Sequence, residues 1–177
     1  MGNPNSEPQI TAILQAWITS SRLHDFYFIE VKQLNITPKV RLKCMYGCPN
    51  YNVARKCPPK DTLTPEQCQS YIREYSQAVI LRFAPDAKQL CPKHVQTDML
   101  ELERHVFLQD RPFALAIFPK HCDLCESCDP KKPCTQPTRA RPSISSMCID
   151  IIGTMKKLGQ QQQILTNKSE ATPWSIS

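Results

Sequence analysis

Apolar residues recur along the chain at two periods, and each period marks a kind of element. A helical start is expected over about residues 8 to 20. "HDFYFIEVKQL", residues 24–34, alternates and is rich in aromatic and β-branched side chains, which predicts a strand. Within "TPEQCQSYIREY", Thr64 suits an N-cap, Pro65 the first helical position, and Cys68, Tyr71, Ile72 and Tyr75 repeat at helical spacing. "QAVILRF" is a short apolar run expected to be a buried strand.

Further on, Val95, Met99, Leu102 and Val106, with Phe107 at the edge, lie three or four apart and predict an amphipathic helix with its stripe in the core. "PFALAIF" is expected to be another buried strand. "RPSISSMCIDIIGTMKKLG" is expected to be a helix entered at Pro142 and Ser143, carrying Cys148 and stopped by Gly159. "QQQILT" suits a last strand, and residues 167–177 a loose polar tail pinned by Trp174. Strands interleaved with helices imply an α/β or α+β fold: one layered domain over residues 1–177, a short mixed sheet with flanking helices, and cysteine-rich loops at strand ends.

Composition bounds the class. With 41% apolar and 21% charged residues the chain reads as a soluble globular protein, expected in the cytoplasm and not in a membrane. The N-terminus lacks the basic and apolar segments of a secretory signal, and Gly2 with Ser6 matches a myristoylation pattern too short to carry weight. Six basic residues and no acid fall between Lys39 and Lys60. A solvated face is the default reading; nucleic acid is not the expected partner, and offsetting an anionic metal centre is a third use of such charge.

The ten cysteines change the picture most. In a reducing compartment thiols stay free unless a metal or a catalytic role claims them. Sixteen prolines against four glycines, several beside cysteines, suggest stiff turns as the thiol-bearing segments. "HCDLCESCDPKKPC" sets Cys122, Cys125, Cys128 and Cys134 in a C-x2-C-x2-C-x5-C comb. Successive x2 steps let each thiolate reach a different iron of a cubane, as in bacterial ferredoxins. Zinc sites usually need two separated knuckles, so zinc is the alternative.

"CMYGCPNYNVARKCPP" offers Cys44, Cys48 and Cys57 and asks for a fourth ligand. Cys68, on a helix face, reads as core; Cys91 stays possible; Cys148 is favoured because a helix start suits a thiolate. Exchange of Cys134 and Cys148 between the two sites stays open.

These motifs, with "AVILRF", "LELERHVFL" and "PCTQPTRARPSISSMCIDI", resemble in order and spacing a family of uncharacterised prokaryotic proteins described as predicted metal-binding proteins. The resemblance covers about residues 38 to 158. It implies Cys44, Cys48, Cys57, Cys122, Cys125, Cys128, Cys134 and Cys148 as the recurring cysteines and supports Cys148 over Cys68 and Cys91. It brings no established reaction. "IFPKHC" and "CIDI" lack glycines that relatives tend to carry.

Among other residues, His121 reads as a lone loop histidine; Glu101, Glu103 and Arg104 as a solvated face; Tyr46, Asn50 and Tyr51 as packing around the first group; Arg139 and Arg141 as a solvated loop. No P-loop, G-x-G-x-x-G, H-E-x-x-H or nucleophile elbow is present, so phosphoryl transfer, nucleotide-cofactor binding and serine hydrolysis have no support. The expected function is that of an iron-sulfur protein with two [4Fe-4S] centres, acting in electron transfer with a redox partner protein or as a reductase on a small molecule. The alternative is a zinc-stabilised module contacting nucleic acid or an acidic protein, and a third is a carrier of metal or sulfur. No catalytic residue is assigned.

Overall fold

The computed structural model describes residues 6–20, 23–61, 63–83, 92–160, 163–164 and 175–176. Cys91, Trp174 and Gly2 lie outside the described residues. The layout is α+β. Helix α1 (Ser6–Ser20) leads to strand β1 (Leu23–Glu30) and a 3-10 turn (Val31–Gln33); α2 (Lys39–Gly47), α3 (Pro65–Arg73), β2 (Gln77–Phe83) and α4 (Pro92–Phe107) follow. After a long irregular stretch come α5 (Ile151–Lys157), β3 (Gln163–Ile164) and β4 (Ser175–Ile176). β1 and β2 form an antiparallel ribbon with Phe26 opposite Leu81 and Phe28 opposite Val79; β3 and β4 form a separate parallel pair.

One face of the ribbon is covered by α1 and α4. Ile10, Leu14, Leu23 and Leu102 are buried there against Phe26, Phe28, Val79 and Leu81. Trp17 of α1 meets His105 of α4 edge-on at 6.2 Å. A second cluster joins Val95 and Met99 of α4 to Phe118 and Leu124. The third packs Val31, Cys68 and Ile72 against Met147, Cys148 and Ile149.

Local chemistry explains where the elements end. Thr64 accepts from the Gln67 amide at 3.2 Å while the Gln67 side chain accepts from the Thr64 amide at 2.9 Å, a reciprocal cap that starts α3. α5 is capped by Asp150, which accepts from the Gly153 amide at 2.8 Å. A Cβ on Gly153 would meet the Asp150 carboxylate and the Asn35 amide, so a larger residue there would have to displace the cap.

Three expectations are corrected. Residues 112–118 form no strand: their only ladder contact is a parallel bridge from Phe118 to Ser143, and Phe113 is exposed. The Ala116 amide instead donates to Glu103 Oε2 at 2.5 Å, taking a group that a ladder needs. The helix expected from Pro142 begins only at Ile151. Before it, the Ser143 and Ser146 hydroxyls accept from each other's amides at 3.1 and 2.8 Å, a turn that competes with helix. Cys44, expected in a loop, lies on α2, because no proline interrupts the chain between Pro38 and Pro49.

Candidate metal centre

The comb is held from below by α4 and closed at its base. Gln96, fully buried on α4, donates to the His121 carbonyl and accepts from the Asp123 amide, both at 2.7 Å. Leu124 turns its side chain into the core between Cys122 and Cys125. The chain entering at Phe118 and leaving at Ile144 is paired by Phe118 N to Pro142 O and Ile144 N to Phe118 O, each 2.9 Å. The thiols of this loop, of which Cys128 is exposed and the other three half-buried, are therefore carried on a fixed backbone.

Within the comb the thiols sit in each other's fields. Burial pushes the Cys122 thiol up, and Cys125, Cys134 and Cys128 push it further, against a backbone hydrogen bond from Leu124. Cys125 goes the other way. Thr135 Oγ1 lies 3.3 Å from its sulfur and Gln136 Nε2 donates to it at 3.4 Å, and these bonds hold its pKa below the ordinary thiol value. Such sulfur hydrogen bonds are what orients and tunes a thiolate ligand.

The first group builds around α2. Cys44 is half-buried on that helix, Cys48 follows it exposed at the C-cap, and Cys57 is buried in the turn beyond. Burial and the neighbouring Cys48 raise the Cys44 thiol. Burial, then Cys48 and Cys44, push Cys57 up to about 12. Cys48 is felt at both Cys44 and Cys57, so the three thiols form one neighbourhood of soft donors.

Cys148 belongs to this neighbourhood, since its charge is felt at Cys44. It sits at φ +60°, a left-handed backbone uncommon outside glycine, held by Thr37 N to Cys148 O at 2.8 Å and by a bridge from Ile36 to Ile149. Because α5 starts three residues later, the helix dipole expected to favour its thiolate is not what serves it. Arg41 does. Its Nη2 donates to Ser146 O at 2.6 Å, Leu63 O at 3.0 Å and Cys68 Sγ at 3.4 Å. Burial works against its charge, but Cys148 and then Cys68 outweigh that and hold the guanidinium above its ordinary range. Its Nε is buried with no partner. An orphaned donor on a cation whose charge is felt at Cys44 and which interacts with Cys148 suits an acceptor such as a cluster sulfide.

The two groups touch. Asn50 Nδ2 meets His121 Nδ1 at 3.1 Å, Arg55 donates to the carbonyls of Pro130 and Lys132 at 3.0 and 2.5 Å, and Cys57 feels the charge of Cys122. His121 is thus no lone loop residue, since its Nε2 also lies 2.6 Å from Asp123 Oδ1. Tyr46, expected to pack around the first group, is 83% exposed. Glu103 is not part of a solvated face, nor Arg141 of a solvated loop: they pair with each other largely buried, whereas Glu101, Arg104 and Arg139 are exposed. Cys68 is fully buried in the core, as its helix face implied. Gln96 and Arg41 were not singled out from the sequence; a buried polar residue on an apolar helix face is the one signal that Gln96 gives.

All nine described cysteines are free thiols. Among the described residues no three His, Cys, Asp or Glu side chains converge closely enough to hold an ion as they stand, so the thiols form neighbourhoods rather than a closed shell. No described helix is long and apolar enough to cross a membrane. A family model described as "Predicted metal-binding protein (DUF2284)" matches residues 27–176. No curated protein and no solved structure matches.

Proposed function

Since the chain belongs to this family of predicted metal-binding proteins, we propose that it is an iron-sulfur protein with two [4Fe-4S] centres that acts in electron transfer or as a reductase centre. Cys122, Cys125, Cys128 and Cys134 hold one centre; Cys44, Cys48, Cys57 and Cys148 hold the other. The observation that carries the reading is the division of eight free thiols into two adjoining neighbourhoods, one of which includes the thiols that interact with the Arg41 guanidinium, whose Nε is buried without a partner.

A cluster, when bound, supplies one-electron chemistry at a potential set by its hydrogen bonds, burial and neighbouring charge. This chain's residues contribute those settings. Gln136 donates to Cys125, Arg41 places positive charge beside Cys148, and Leu124 with Phe118 closes the apolar side of the comb. Zinc would need none of the redox tuning and prefers thiols from well-separated turns.

Anaerobic, iron-replete expression followed by iron, sulfide and zinc analysis tests the reading. About eight irons and eight sulfides per chain, with an EPR signal after dithionite, are expected. Stoichiometric zinc without acid-labile sulfide would overturn it in favour of a zinc-stabilised module.

A further inference from the structure

The outer face of α2 is unused by the metal-centre reading. Lys39, Leu42, Lys43 and Tyr46 follow one another along it at helical spacing, with Met45 beside them, and all five are exposed. Tyr46 is 83% exposed, Leu42 53% and Met45 47%, and no residue of this helix is buried. Lys39 and Lys43 make no ion pair among the described residues, and no acid occurs between Lys39 and Asp61. Contiguous apolar side chains rimmed by charge of one sign mark an interaction surface.

We propose that this face docks an acidic electron-donor protein, whose apolar contact area is ringed by carboxylates; the proposal rests on the redox reading above. Charge complementarity selects the sign of the partner. The apolar centre and the state of the arginines select a protein over nucleic acid. Arg41 and Arg55, which phosphates and bases would call on, are turned inward onto the carbonyls of Ser146, Leu63, Pro130 and Lys132. Lysines remain outside as a rim around tyrosine, methionine and leucine.

Position completes the case. Cys44 lies on the same helix and Cys48 caps it, exposed, so a partner seated on α2 lies next to the first thiol group. One electron leaves the reduced partner, which is oxidised, and the centre is reduced by that one electron; no bond forms or breaks.

The test uses a plant-type acidic ferredoxin as probe and the metal-loaded full chain. Binding is measured by interferometry at low salt for the wild type, a Lys39→Glu, Lys43→Glu variant and a Leu42→Ser, Tyr46→Ser variant, all at exposed positions whose folding circular dichroism checks. Saturable binding that weakens about tenfold or more on charge reversal is expected, with loss on adding salt. Reduction of the centre by pre-reduced ferredoxin should slow in parallel, while reduction by dithionite, which needs no docking, stays unchanged. Absent binding, binding indifferent to both variants, or tighter binding of a single-stranded oligonucleotide lost in the same variants would overturn the assignment. A centre that dithionite fails to reduce sinks the redox reading instead, and the binding comparison then still decides the surface.

Discussion

Arg41 and Ser146, 105 positions apart, are joined by a 2.6 Å hydrogen bond from guanidinium to carbonyl. The same guanidinium nitrogen also holds the Leu63 carbonyl, so one side chain ties α2 to the approaches of α3 and of Cys148. Arg41→Met leaves both carbonyls without their donor and should cost about 2–3 kcal/mol in urea denaturation. Arg41→Lys should recover only part, because a point charge cannot fork to several acceptors. Metal analysis of the Met variant should show loss from the first group and retention in the comb.

Cys148→Ala should leave one centre fully intact, with metal per chain falling to about half. Cys122→Ala should remove the other half. Loss of all metal from Cys148→Ala would mean that the two sites assemble as one unit.

The thiols differ in how readily they ionise, which alkylation of the metal-free chain can read. Cys125, held below the ordinary thiol value by Thr135 and then Gln136, reaches its thiolate form at lower pH and should react with iodoacetamide first. Cys57, pushed up to about 12 by burial and its thiol neighbours, stays protonated and should react last, its rate still climbing in strong alkali. Peptide mapping across a pH series checks the order. Thr135→Val should move the Cys125 profile toward higher pH, since it removes the bond that favours the thiolate.

Glu103 accepts from Arg141 Nε at 2.9 Å and from the Ala116 amide at 2.5 Å, with both charged side chains mostly buried. Removing either partner alone strands the other charge, so Glu103→Ala should cost about 3 kcal/mol. Glu103→Gln, which keeps one acceptor oxygen, should cost less. A double-mutant cycle with Arg141→Met should return a coupling of at least about 1 kcal/mol.

What could be read in advance was what depends on short-range pattern. Thr64 and Pro65 marked the start of α3, the run at residues 77–83 was the strand, and the stripe from Val95 to Leu102 was buried as its period required. Two of the misses come from side-chain hydrogen bonds that compete with the ladder or the helix. The carboxylate of Glu103 captures an amide from a run that looked like a strand, and paired serine hydroxyls delay α5 beyond Cys148. Glu103 acts on an amide thirteen residues away, outside a window of neighbours, whereas the serines are local but leave the helical pattern of apolar residues intact. Cysteine spacing grouped the comb, but it could not reveal that Gln96 clamps it or that Arg41 stands beside Cys148.

The bridge between Ile36 and Ile149 has a consequence for the order in which the protein can be finished. A nascent chain leaving the ribosome has all four comb cysteines in hand once Cys134 has emerged, while the segment that carries Cys148 to α2 is still inside it. On the proposed ligand assignment the first group can close only after Cys148 has emerged, fourteen residues behind the last thiol of the comb.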